Sequence, residues 1–198
     1  VTAPLLVLAS ASPRRLELLR QIGIVPDRVD PAEIDEAPRR DEAPAAHALR
    51  LAEEKLRVVT PRHSGAVILA ADTVVACGRR ILPKPLDETS ARSCLELLSG
   101  RRHRVHSGVA LASPDGRVAL RRVESHVGFK RLSPEEMAAY LASGEWRGKA
   151  GGYAIQGRAA ALIRFISGSY SNVVGLPLFE TAQLLAGCGY RPRCIANS

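Results

Sequence analysis

The sequence predicts a mixed α/β fold: a largely antiparallel, twisted sheet with flanking helices. Three observations carry that reading. Two long alternating segments, Val105 to Ala112 and Val118 to Phe129, flank a Pro114-Asp115-Gly116 turn, the pattern of a β-hairpin. Stretches of helical apolar periodicity, several opened by capping residues, alternate with short apolar runs. The 198 residues are 46% hydrophobic and 24% charged, enough to bury a core and too apolar for a mainly disordered chain. The chain is expected to form one domain, residues 1–198.

The elements follow in order. Leu5 to Ala9 is a short apolar strand. Ser12-Pro13 then opens a helix, with Ser as N-cap and Pro at the first helical position. Leu16, Leu19 and Ile22 are its expected buried stripe, and Gly23 stops it. Val25 to Glu36 is extended. Ala45 to Val59 is helical, with Ala45, Leu49, Ala52, Leu56 and Val59 on one face. Val67 to Ala71 is a buried strand expected to break at Asp72 and resume from Val74 to Cys77. Gly78 turns the chain into Arg80 to Leu82. Asp87 to Ser99 is a helix with Ala91, Leu95 and Leu98 inward. After the hairpin, Ser133-Pro134-Glu135-Glu136 is a capping box for a helix that Gly144 ends. Trp146 to Gly157 is a Gly-rich loop, Leu162 to Ile166 a strand, and Pro177 to Leu185 the last helix.

The formal net charge is +8. Residues 1–100 hold 14 basic and 14 acidic side chains, so the whole excess lies in residues 101–198. A basic half invites a nucleic-acid reading. Against it, aromatic residues are 4%, leaving few stacking platforms, and no RRM, KH or helix-turn-helix signature is present. Basic residues are 24 Arg and 4 Lys, a bias that fits GC-rich coding. No apolar run approaches the roughly 20 residues that cross a bilayer. Val1 to Ser10 lacks the basic and apolar regions of a secretory signal, and with few cysteines this points to the cytoplasm. Cys77 and Cys94 read as small core residues. A Cys188–Cys194 disulfide is disfavoured, such bridges being rare in the cytosol. His103 and His106, three apart on a strand, fall on opposite faces, which argues against joint metal ligation; they read as surface or partly packed residues.

Four patches place polar residues where the pattern wants apolar ones. In Ser10-Ala11-Ser12-Pro13-Arg14-Arg15 a strand ends and a helix begins with two arginines in its first turn. They oppose the helix dipole unless an anion binds, although two solvated arginines on a surface helix are the plain alternative. Asp72 and Thr73 end an apolar strand, a placement suited to holding a metal ion or orienting a water. Lys84 is stiffened by Pro83 and Pro85, although taken alone a solvated lysine is the plainer reading. Residues 148–157, GKAGGYAIQG, carry Lys149 and Gln156 on a backbone that can approach a ligand closely. The spacing is wrong for a Walker A loop. Glu36 adds an acid, and Lys55 adds a cation whose spacing beside Glu53 and Glu54 equally suits a solvated helix face. Anion binders, acids and an amide able to read a base together suggest metal-assisted phosphate-ester chemistry.

These patches together resemble the Maf family of nucleoside triphosphate pyrophosphatases. The matching stretches are LASASPRR (8–15), EIDE (33–36), LAEEK (51–55), AADT (70–73), KP (84–85), LSGRRHRVHSGVAL (98–111), GKAGGYAIQG (148–157) and GSYSNVVGLPLFET (168–181), in order over nearly the whole chain. The resemblance implies two lobes around a deep cleft, often a homodimer, and hydrolysis between the α and β phosphates to a monophosphate and pyrophosphate. It implies that Asp72 is the catalytic proton acceptor and that Arg14, Thr73 and Gln156 set specificity. GYAIQG looks like the branch acting on dTTP and UTP, with modified pyrimidine nucleotides as further candidates. Two departures are visible: Gly152 where alanine is common, expected to loosen the loop slightly, and Glu33 where a small residue is frequent.

On this reading Glu36 and Asp72 hold a divalent cation, Mg²⁺ or Mn²⁺. Ser10, Arg14, Arg15, Lys55, Lys84 and Lys149 surround the phosphates, and Thr73 and Gln156 select the base. The expected partner is the nucleoside triphosphate itself, with no stable nucleic-acid complex and no membrane. The competing readings are a nucleic-acid-binding protein, or a regulator of cell division, using the basic C-terminal half.

Overall fold

The computed structural model describes residues 4–191. The elements are β1 (Leu6–Leu8), α1 (Pro13–Gln21), β2 (Arg28–Val29), α2 (Pro44–Val59), β3 (Val67–Cys77), β4 (Arg80–Leu82), α3 (Glu88–Leu98), β5 (Arg102–Ala112), β6 (Val118–Phe129), α4 (Pro134–Ala142), β7 (Ile163–Ser167), α5 (Tyr170–Val174) and α6 (Leu178–Gly187). Short 3-10 turns interrupt the loops before β3 and before β7.

The seven strands form one sheet in the order β2-β1-β3-β5-β6-β7, and β4 also pairs with β3. Pairing is parallel between β1 and both β2 and β3, and antiparallel everywhere else. The β5–β6 hairpin closes as its turn sequence predicts: Gly116 N–H donates to Ser113 C=O at 2.9 Å. The sheet is therefore largely antiparallel, with parallel strands where β1 lies beside β3.

Strand alternation divides the core. The residues Ile68 and Ala70 of β3 and Ala110 and Ala112 of β5 pack against α2 through Ala52, Leu56 and Val59. On the opposite face, Leu69, Ala71, Val109 and Leu111 meet Leu18 and Leu19 of α1 and Leu184 and Leu185 of α6. Further along that second face, Val75, Val105, Val127 and Phe129 pack under α3 and α4. The approach of α2 to the sheet is close. A Cβ at Gly108 of β5 would lie 2.4 Å from Ala48 O and 2.5 Å from Leu49 Cα.

Several expectations need correction. Asp72 does not break a strand: β3 runs unbroken through it, because β5 pairs with β3 from Ile68 to Ala76. The buried stripe of α1 is Arg15, Leu18 and Leu19, while Ile22, already the C-cap, is 37% exposed. In α2 the inward face is turned by one position. Ala48, Leu51, Ala52, Lys55, Leu56 and Val59 are buried, and Ala45 and Leu49 only half-buried. Of Val25 to Glu36 only Arg28–Val29 is paired as strand. Cys94 is in the core but Cys77 is only half-buried. His103 and His106 do lie on opposite faces of β5, yet both are buried rather than surface residues. Helix α5 was not expected at all. Cys194, and with it the question of a bridge to Cys188, lies outside the described residues. No helix among the described residues is long and apolar enough to cross a membrane.

Candidate active site

The site follows from a gap in the sheet. On one edge of β3, β1 pairs only as far as Leu69, and β4 arrives only at Val75. Between them, Ala70 to Val74 have a strand partner only in β5. Asp72 and Thr73 sit in that gap. As neighbours on a strand they point to opposite faces. Asp72 faces α2 and Thr73 faces α1.

Lys55 of α2 reaches Asp72 because Ala52 and Leu56, on the same helix face, are already packed on β3. Its ammonium donates to Asp72 Oδ1 and to Glu36 Oε1, each at 2.6 Å. Both Lys55 and Asp72 are 6% exposed. A charge so placed is costly unless paired, and here one ammonium bridges two carboxylates. Lys84 completes the chain by donating to Glu36 Oε2 at 2.7 Å. Burial alone would raise the Glu36 carboxyl, but the hydrogen bonds and charges of Lys55 and Lys84 prevail and hold it at about 2.

On the other face, β1 hands over to α1 at Ser10. The α1 N-cap Ser12 makes no side-chain cap bond, Pro13 has no N–H and the Arg15 N–H donates to Ser12 O at 3.2 Å, so in the first turn it is the Arg14 N–H that keeps capacity for an anion. Arg15 is buried and fully directed. Nη1 donates to Ser10 Oγ at 2.9 Å, Nε to Gly175 O at 2.9 Å and Nη2 to Thr73 Oγ1 at 3.5 Å. Burial pulls its guanidinium below its ordinary value, and the charges of Asp72 and Glu36 push back. Arg14 donates through Nε to Val174 O at 3.3 Å. The two arginines thus meet carbonyls at the C-terminal end of α5, the end of a helix that favours cations. Thr73 Oγ1 also bonds Gly175 O at 3.2 Å and lies 2.9 Å from Ser107 Oγ.

The Gly-rich loop closes the third side. Gly151 and Gly152 have φ of +69° and +71°, a region that strains any other residue. Glycine at 152 is therefore suited to its backbone, which the alanine common at that position would strain. Lys149 is half-buried at the cavity and donates to Arg147 O at 3.0 Å, while Gln156 is exposed. Burial first, then the neighbouring cation, lowers both Arg14 (beside Arg15) and Lys149 (beside Arg14). Cations crowd one another here.

Ser10, Arg14, Arg15, Glu36, Lys55, Asp72, Thr73, Lys84, Lys149 and Gln156 all line a single cavity of about 340 Å³. Five cationic side chains face it against two carboxylates. Lys55 makes two hydrogen bonds to the protein and Arg15 three, which leaves each with polar hydrogens to spare, and Arg14, Lys84 and Lys149, the less buried cations, each make one. Among the described residues no three His, Cys, Asp or Glu side chains gather as a ready metal cage. The acidic ligands available at the cavity are Glu36 and Asp72. The reading from sequence missed the carbonyls of Val174 and Gly175 and the Tyr153 ring. The stretch 168–181 was visible as a motif, but a carbonyl offers no side-chain signal.

A family model described as Maf-like protein matches residues 5–188. Curated relatives named dTTP/UTP pyrophosphatase align over most of both chains. That of Paramagnetospirillum magneticum is 68% identical, covering 94% of this chain and 98% of its own. That of Caulobacter vibrioides is 65% identical over 96% and 98%. That of Rhodospirillum rubrum is 65% identical over 94% and 89%. A crystal structure of a nucleoside-triphosphatase / dITP/XTP pyrophosphatase from Mycobacterium abscessus aligns with 70% of this chain and 94% of its own at 19% identity and a TM-score of 0.36, too slight to bear on the fold. Strand-edge gap, cation-lined cavity and sequence match coincide, and the chain belongs to the Maf family.

Proposed function

We propose that this protein hydrolyses dTTP and UTP between the α and β phosphates, releasing the nucleoside monophosphate and pyrophosphate. The observation that carries the reading is the convergence of Asp72, five cations and Gln156 on one cavity. The cavity's charge suits a polyanion, and relatives of this chain at 65–68% identity are named for this activity.

Asp72 orients and deprotonates the attacking water. Its Oδ1 is held by Lys55, so its other oxygen is the one that takes the water proton. Arg14, Lys84 and Lys149 bind the phosphates from the rim and stabilise charge developing on the pyrophosphate leaving group. The α1 N-terminus adds the backbone N–H of Arg14. Arg15 and Ser10 contact the phosphates from below while holding Thr73 in place. Gln156 and Thr73, with Arg14, select the base.

A hard divalent cation is commonly bound through one or two carboxylates, the rest of its shell coming from phosphates and water, and Glu36 and Asp72 fit that chemistry. When bound, Mg²⁺ or Mn²⁺ would neutralise phosphate charge and acidify water, which matters because a carboxylate is a weak base at neutral pH. Lys55 holds both carboxylates in register for this. The test is the identity of the products formed from dTTP and UTP.

A further inference from the structure

His103 is a buried, polar residue that the site as described does not use. It lies on β5, on the face under α3 and α4, at 2% exposure. Its Nε2 is 2.7 Å from the Tyr153 hydroxyl. The His103 and Tyr153 rings meet edge to face at 5.3 Å between centroids, and Phe129 closes the triangle at 5.1 Å from Tyr153. Tyr153 belongs to the Gly-rich loop and lines the substrate cavity. Burial raises its hydroxyl well above its ordinary value, so it stays neutral. Burial likewise keeps His103 neutral at pH 7.

The rest of the loop is tied more lightly. Gly151 N–H donates to Pro83 O at 2.9 Å, and Ala154 N–H to the Tyr140 hydroxyl at 3.1 Å. Lys149 and Gln156 themselves are held by nothing on the sheet. Gly148, Gly151 and Gly152 all have positive φ, so the backbone of this segment has little stiffness of its own. Tyr153 and Ile155 are the large side chains of residues 148–157 that enter the core, and Tyr153 is the one whose depth and rotation a side-chain hydrogen bond fixes. Gln156 follows three residues later.

We propose that His103 is a positioning residue: through its hydrogen bond to Tyr153 it fixes residues 148–157 over the cavity and so sets the placement of Gln156 against the base. The brace is a geometric claim about the free protein. Its consequence for base choice rests on the proposed role of Gln156.

Two variants break the bond differently. Tyr153→Phe removes one oxygen and leaves the ring packing. His103→Leu removes the partner, and His103→Gln restores an amide able to donate to the Tyr153 hydroxyl. Amide hydrogen exchange at Gly151 and Ala154 reads the brace without substrate. Tyr153→Phe and His103→Leu are expected to speed it about tenfold or more, and His103→Gln to restore protection. In assays, both lesions are expected to raise KM and narrow the preference for dTTP and UTP over purine triphosphates by about tenfold, with kcat changed less. The double variant should be no worse than either single one, since both remove one interaction. Should His103→Leu fail to fold, Tyr153→Phe carries the comparison alone. Unchanged exchange in a folded Tyr153→Phe protein overturns the brace. Faster exchange with an unchanged substrate ranking, where Gln156→Glu does alter that ranking, overturns its role in base choice. If Gln156→Glu also leaves the ranking unchanged while exchange quickens, the brace stands and the base-reader role of Gln156 falls.

Discussion

Lys55 shows how a single residue decides the electrostatics of the site. Its ammonium is buried with Asp72 and reaches out to the exposed Glu36, and without it two carboxylates would face each other. Lys55→Met keeps the apolar stem and removes the charge. Removing one partner from a buried ion group costs about 3–5 kcal/mol. Urea unfolding of the variant should show a loss of about that size, and an unchanged midpoint would mean the bridge contributes nothing. Lys55 also marks the limit of reading from sequence. Beside Glu53 and Glu54 its spacing suits an outward face equally well, and only the turn of α2 on β3 points it inward. Asp72 and the two arginines were legible for the opposite reason: each breaks a local rule, a carboxylate in an apolar strand or cations at a helix start. His103 was half legible. Alternation assigns its face, but its burial depends on Phe129 and Tyr153, which come from distant segments.

At the scale of elements, the site exists because β1 and β4 share one edge of β3 without meeting. The hairpin, the capped helices and the apolar strands are written in local patterns. The gap is not, since it depends on which strands pair. Helix α5 is likewise hidden. It spans five residues and is held by Asn172, whose Nδ2 donates to Val105 O and to Ser125 Oγ at 3.2 and 3.0 Å. The seating of α2 is testable at Gly108. In Gly108→Ala the new Cβ meets helix backbone, which has no flexible end to yield. Overpacking of this kind costs about 1–3 kcal/mol, and here it would also lift Lys55 from Asp72. Stability and turnover should therefore fall together. Full turnover in a stably folded Gly108→Ala protein would show that α2 is not seated as described.

For the whole molecule, pH links the buried histidine to stability. Burial lowers His103 from its ordinary 6.5 to about 4, and lowers His106 in the same direction. Between those values the unfolded chain binds a proton that the folded one refuses, so stability is full above about 6.5 and declines as pH falls toward 4. The His103 share is about 3 kcal/mol at most. Unfolding free energies between pH 7 and 4 should show that decline, and His103→Gln should flatten it. The molecule's charge also reads differently once folded. The +8 excess lies in residues 101–198, yet of the five cations at the cavity only Lys149 comes from that half. The charge of the cavity follows the placement of a few cations, not the sum over the chain. The most direct measurement is product analysis of purified protein incubated with Mg²⁺ or Mn²⁺ and a panel of nucleoside triphosphates, beside Asp72→Asn. The expected products are dTMP and UMP with equimolar pyrophosphate, with dTTP and UTP preferred and turnover at least about a hundredfold lower in the folded Asp72→Asn protein. Release of nucleoside diphosphate and phosphate, or near-normal turnover without the Asp72 carboxylate, would overturn the proposed activity and the role of Asp72.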